Sequence, residues 1–308
     1  MEFCVFTEPQ TGADYDTQLA FALQAERSGF DGFFRSDHYM AMHGADGRPG
    51  PTDAWTTLAG LARETSTLRL GTLVSSVTYR WPGILAVQVA QVDAMSGGRA
   101  ELGLGTGWYE AEHLAHAIPF PAKRFGLLAE QLEIVNGLWS APAGERYAFE
   151  GEHYRIVDSP ALPKPTQERI PVIVGGAGLT RTPELAARHA TEFNIAFQPE
   201  DVIADRFDRV RAACEREGRD PATLGLSVAL PTLAGESEAD LARRAAATGV
   251  DLDAFRAGDG FSGTAEEIAE KAGRLRDLGA SRLYFQLMDM SDHDHVAYLG
   301  EELLPRLR

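Results

Sequence analysis

Eight short apolar runs, each followed by a longer amphipathic or loop segment, constrain the fold of this chain more than any other feature. They are Phe3–Thr7, Gly32–Ser36, Leu68–Val74, Ala100–Gly105, Pro171–Val174, Asn194–Phe197, Gly225–Leu230 and Arg282–Leu287. The runs show no clean polar alternation, as expected of parallel strands covered by helices on their outer side. Between them, helical periodicity marks Asp14–Ser28, Asp53–Glu64, Gly83–Met95, Arg124–Trp139, Pro183–Ala190, Asp201–Glu217 and Ala265–Leu278, with a terminal helix after the last run. Gly97-Gly98 reads as a C-cap, and Thr264 with Glu267 as a capping box. Eight such units in 308 residues suit an α/β chain folded as one (β/α)8 TIM barrel over residues 1–308. A doubly wound sheet of eight units would be unusually wide. Two segments break the alternation and read as insertions in βα loops, near 140–170 and 232–263. The first holds an expected hairpin over Tyr147–Ile156. The second ends in AGDGFSG, whose glycines would suit a mobile lid over a substrate.

A formal charge of -16 sets nucleic acid aside as a partner, and anionic membrane with it. No stretch reaches the roughly 20 apolar residues of a spanning helix, and the N-terminus lacks a basic, then apolar, leader pattern. Cys4 and Cys214 form neither a disulfide framework nor a zinc spacing. A cytoplasmic chain acting on a small molecule is the expectation.

In a barrel the chemistry sits where strands end. Run two ends in Asp37-His38. The pair reads as a structural histidine with a helix cap, as a metal site with His43, or as an active-site rim; no third ligand is adjacent, so no metal is expected. Run three ends in Ser75, Ser76 and Thr78, hydroxyls able to donate to a ligand. Run four ends in Gly105-Thr106-Gly107-Trp108-Tyr109, where bare backbone would let a planar ring lie close. Its glycine order is not that of a dinucleotide fold. Run five ends in Gly175-Gly176-Ala177-Gly178 ahead of Arg181 and a helix with Thr182 as expected cap. That loop suits a phosphate. Asp292–His295 (DHDH) reads as a capped, solvated helix end. No nucleophile elbow is present, and the few lysines fall outside strand ends, against an aldolase or isomerase.

FTEP, FFRSDH, LGTLVSSVTYRWP, LAVQVAQVDAMSGGRAELGLGTGW, PVIVGGAG and SGTAEEIAEKAGRLRDLGASRLYFQL stand in this order along almost the whole chain. Together they resemble the luciferase-like monooxygenase superfamily, and within it the deazaflavin oxidoreductases that use coenzyme F420. The resemblance implies a bacterial luciferase-like barrel with the cofactor ring at its C-terminal rim. It implies Asp37 as a ring contact, His38 as a proton donor or acceptor, and a non-proline cis peptide at Leu73-Val74 behind the ring. It further implies Ser76, Thr106 and Gly107 as ring or ribityl contacts, and Gly175, Gly176, Ala177, Gly178 and Arg181 as the phosphate site. A homodimer is also expected. The sugar-phosphate dehydrogenase branch carries a glutamate directly after Gly-Thr-Gly; Trp108 stands there, and Glu110 and Glu112 lie out of register. The alternatives are an FMN-dependent monooxygenase on the same fold and a non-catalytic flavin-binding protein, the latter disfavoured because all eight units are present.

Overall fold

The computed structural model describes every residue except His43. Eight parallel strands close into a barrel: β1 Glu2–Thr7, β2 Gly32–Arg35, β3 Arg69–Thr72, β4 Ala100–Gly105, β5 Val172–Gly175, β6 Glu192–Ala196, β7 Gly225–Ala234 and β8 Arg282–Gln286. Closure is direct. Val5 of β1 stands opposite Phe33 on one side and Phe285 on the other, and Val228 of β7 opposite Leu283. The outer faces of the strands pack on the helices through Phe3, Val5, Phe33, Leu70, Leu102, Val172 and Phe285, all buried. This is the (β/α)8 barrel that the eight apolar runs require.

Local chemistry sets the helix ends. Asp14 and Asp53 accept from the Thr17 and Thr56 amides and cap Tyr15–Arg27 and Ala54–Glu64. Gly97 ends Pro82–Ser96 in the left-handed region at φ 71°. Thr264 and Glu267 form the expected capping box ahead of Ala265–Asp277.

The barrel interior is divided. Cys4, Phe6, Phe34, Leu73, Ile173, Ala229 and Tyr284 form an inner apolar layer. Below it, Arg282 pairs with Glu101 at 2.7 Å and Glu192 at 2.8 Å, and the Tyr284 hydroxyl donates to Glu192 at 2.8 Å. The N-terminal end is thus closed by paired charge, and only the C-terminal end is open to a ligand.

Three expectations are corrected here. β7 runs four residues past Leu230, because Phe261–Gly263 pairs alongside it, Thr232 with Phe261 and Ala234 with Gly263. Lys271 also donates to the Gly260 carbonyl at 3.0 Å. The last three residues of AGDGFSG are therefore strand-paired and Gly260 is tethered, so the segment is not a free hinge. The part of 232–263 that reaches the open end is Ala247-Thr248, after the helix Glu238–Ala247. DHDH caps its helix as expected through Asp292, but its last residue is not solvated: His295 is buried, its Nε2 accepts from the Ala234 amide at 3.0 Å, and Arg244 donates to Asp292 at 2.9 Å. Burial, with Arg244 nearby, brings His295 down to about 3, so it is neutral and an acceptor. Finally, the helix after β5 starts at Arg181 with Thr180 ahead of it, so Thr182 lies inside the helix. The hairpin of segment 140–170 forms as expected from Tyr147–Glu150 and Arg155–Ser159, its turn amides held by the Glu130 carboxylate.

Candidate active site

The strand ends line a cleft of about 1080 Å³. That is large enough for a tricyclic cofactor together with a small substrate, since single-ligand pockets run from about 300 to 1,000 Å³.

One wall is made by a side chain and three glycines. The Leu73-Val74 peptide is cis, as the resemblance implies. Val74 packs over the ends of β4 and β5: a Cβ on Gly103 or Gly105 would stand 2.9 Å from a Val74 methyl, and one on Gly175 3.1 Å. Gly107, at φ 74°, closes against the Ser76 hydroxyl, where a Cβ would overlap. The result is a flat cradle of backbone between Val74 and Gly107, the shape a planar ring needs. Leu73, Thr106, Gly175 and Gly176 border the same cleft. Ala177, Gly178 and Arg181 do not line it. Arg206 donates to the Ala177 carbonyl at 2.8 Å, and Arg181 lies over the Phe125 ring.

The hydroxyls differ from the expectation of free donors. Ser75 Oγ donates to Asp37 at 2.6 Å. His113 Nδ1 lies 2.7 Å from the Tyr109 carbonyl, an acceptor only, so this nitrogen carries the ring proton. His113 Nε2 then accepts from Thr78 at 2.6 Å, and Thr78 accepts from Ser76 at 2.6 Å. Ser76 therefore turns lone pairs, not its proton, toward the cleft.

Asp37 is buried and lines the cleft, but its carboxylate is held by Arg80. The same guanidinium binds Asp53 and donates to the Tyr39 hydroxyl at 2.8 Å. Burial would raise Asp53, yet Arg80 and the Thr56 amide bring it down to about 2. Asp37 thus anchors the start of the loop after β2.

His38 is the titratable group that this anchor presents. Its Nδ1 lies 3.2 Å from Glu112 Oε2, and that oxygen also accepts from the Tyr39 and Met40 amides at 2.8 and 3.1 Å. Glu112 is fully buried. Burial of the imidazole pulls its pKa down, but the hydrogen bond and charge of Glu112 outweigh that, with Glu8 and Asp37 adding, so His38 titrates above its ordinary value. Nε2 has no protein partner among the described residues, and the ring borders the cleft. The ring of Trp108 stands edge-on to it at 5.9 Å. Glu112, out of register in sequence, reaches His38 because Glu110–Ala115 is a helix that brings it back under the β2 loop.

Sequence reasoning missed Glu112 and His113 for that reason, since a six-residue helix has too short a period to read. It also passed over Glu8 and Gln286, which end β1 and β8. Glu8 is buried at the cleft, accepting from Gln286 Nε2 at 2.9 Å and from Gln10, which in turn accepts from Ser36 at 2.6 Å. Asking what runs one and eight end in would have found both. Among the described residues no three His, Cys, Asp or Glu side chains converge as metal ligands; the reading that joined His38 to His43 lies outside them.

A barrel closed below by charge and open above onto a glycine cradle and a carboxylate-held histidine is an enzyme's site, and the relatives that share the family are oxidoreductases. The chain belongs to the luciferase-like monooxygenase family, whose family model matches residues 1–293. An F420-dependent glucose-6-phosphate dehydrogenase of Nakamurella multipartita is 30% identical over 320 residues, covering 93% of this chain and 91% of the relative. Among solved structures, an F420-dependent secondary alcohol dehydrogenase superposes with a TM-score of 0.85 at 16% identity over 100% and 99% of the two chains. The oxygenating constituent of 3,6-diketocamphane monooxygenase from Pseudomonas putida, in complex with FMN, does so with a TM-score of 0.78 at 18% identity over 100% and 99%.

Proposed function

We propose that this protein is a coenzyme F420-dependent oxidoreductase that transfers a hydride between the deazaflavin and a small organic substrate. The observation that carries the proposal is His38: one nitrogen is fixed by a buried carboxylate, and the other faces a cleft backed by a ring-shaped cradle. The cofactor, when bound, supplies or accepts a hydride, two electrons and a proton's mass, at substrate carbon. The chain does the rest. Val74, Gly105 and Gly107 orient the ring; Ser76 accepts from a ring N–H or ribityl hydroxyl, and Thr106 borders the same face. Gly175, Gly176, Ala177 and Gly178, with Arg181 beside them, receive the phosphate at the start of a helix. Asp37, with Arg80, fixes the loop. His38 Nε2 gives a proton to the substrate oxygen or carbon as hydride arrives, or takes it in the reverse direction.

The names of relatives such as the Nakamurella enzyme favour F420, and an FMN-dependent monooxygenase is the second reading because an FMN-bound neighbour shares the fold. Equilibrium titration of the purified chain with each cofactor tests the choice. F420 is expected to bind at least about tenfold more tightly than FMN; the opposite order moves the protein to the monooxygenases.

We also propose a cytoplasmic homodimer. Both cysteines are buried and unpaired. Trp81, Ile84 and Val87, at one-turn spacing, form an exposed apolar face with Val157 and Leu162. Trp81 packs edge-on against Tyr154 at 5.7 Å, and Val87 and Leu162 line one shallow groove. Light scattering of the native chain is expected to give twice the monomer mass and Ile84→Asp the monomer mass; a native monomer would sink the proposal. No helix among the described residues is long and apolar enough to cross a membrane.

A further inference from the structure

We infer that the substrate is an uncharged, largely apolar molecule carrying one oxygen function, and that this cleft rejects sugar phosphates and other anions. The inference rests on the proposed cofactor reading for the location of the substrate end, which is the end away from the Gly175–Gly178 loop.

The first observation is charge. The cleft lining holds no lysine or arginine among the described residues, while Glu8, Asp37 and Asp289 contribute carboxylates. The N–H donors of the nearby arginines are taken up by protein acceptors. Arg80 is spent on Asp37 and Asp53, Arg124 donates to the Thr106 and Pro121 carbonyls, and Arg35 to Ser36 and Thr52. Arg181 and Arg206 stand at the other end, around the phosphate loop. Glu8 is the decisive group: buried, held by the Gln10 and Gln286 amides, and paired with no cation among the described residues. An anion entering beside it would lose its hydration and meet a like charge, with no lysine or arginine in the lining to pair with it and His38 already paired with Glu112.

The second observation is surface. Trp108, Phe197 and Met288 are among the exposed large apolar side chains, and all three border this cleft, with Met42 and Ala247 between them. Exposed apolar groups gathered on a concave site are what an apolar ligand covers. His38 Nε2 and the Tyr79 hydroxyl, which have no protein partner among the described residues, are the donors left to meet the oxygen function.

The test uses chain saturated with whichever of F420 or FMN binds. If neither binds, the apo chain is used with excess inorganic phosphate to occupy the loop. Binding of 2-cyclohexen-1-one, 1-phenylethanol and glucose 6-phosphate is read from Trp108 fluorescence, with Trp108→Phe assigning the signal. The neutral compounds are expected to bind, and glucose 6-phosphate about 100-fold more weakly or not at all, the scale of an unpaired charge. Glu8→Gln and Asp289→Lys, each checked for native circular dichroism, are expected to narrow that ratio. The inference is overturned if glucose 6-phosphate binds as tightly as the neutral compounds, if no neutral compound binds, or if neither variant changes the ratio. Cofactor titration fails separately: tight cofactor binding with anion preference rejects this inference alone, and neutral preference without cofactor binding rejects the cofactor reading alone.

Discussion

His38→Ala is expected to lower turnover by about 10²–10⁴-fold, the range of a lost general acid or base, while the cofactor dissociation constant stays as it is. The split follows from geometry. The ring cradle is built from Val74 and backbone glycine, and none of it depends on the imidazole. The imidazole faces the cleft through Nε2 and is held behind by Glu112. Glu112 also gives the residue a pH signature. It raises the His38 pKa, so the protonated ring persists to higher pH than a free histidine near 6.5. In the direction where substrate takes the proton, rate holds on the acid side and falls as pH rises through that raised pKa. The stabilisation from the pair has the same sign: it is complete below the unfolded pKa and is lost as pH rises through the folded one. Glu112→Gln keeps both amide contacts within reach but removes the charge, so the alkaline limb is expected to move to lower pH. Unchanged turnover in His38→Ala removes His38 from the mechanism. Lower turnover in Glu112→Gln with an unmoved pH limb makes Glu112 a packing residue only.

Arg80→Ala is expected to cost about 3–5 kcal/mol of unfolding free energy, the scale for removing one partner of a buried ion pair. Asp37 is 1% exposed and would keep only the Ser75 hydroxyl as partner, and Asp53 and Tyr39 would lose a shared donor. Burial opposes the charge on Arg80, yet Asp37 more than offsets it, so the guanidinium stays charged in the fold. Arg80→Ala combined with Asp37→Asn should recover much of the loss, because the fully buried charge goes with its partner and only the partly exposed Asp53, which keeps the Thr56 amide and the Tyr39 hydroxyl, stays without its cation. Urea denaturation of the single and double variants measures both. A single variant within about 1 kcal/mol of the native chain, well inside the ordinary range for point changes, would show that the network carries no weight.

The two experiments separate functions that look alike in sequence. Asp37 and His38 are neighbours at the end of one strand, but Asp37 is turned into the wall and bound by Arg80, whereas His38 is turned into the cleft and held by Glu112. No pattern in the sequence distinguishes them, because adjacent residues past a strand end have no fixed face. Their partners lie 43 and 74 positions away.

What was legible by itself had a local cause. Apolar runs of strand length, the helix starts near Asp14 and Asp53, the Thr264 capping box, the Gly97 stop and the hairpin that begins at Tyr147 follow from short-range sterics and hydrogen bonding. The strand-end rule then placed Ser76, Thr106, Gly107, Gly175 and Gly176 on one rim, since a closed parallel barrel brings every C-terminal strand end to the same side. Only tertiary structure decided the polarity within that rim. It set Ser76 as an acceptor through Thr78 and His113, buried His295 under β7, paired the end of AGDGFSG with β7, and left Glu8 without an arginine or lysine partner. Each of those outcomes depends on which distant side chain arrives opposite, a relation fixed by barrel closure rather than by any neighbour in sequence.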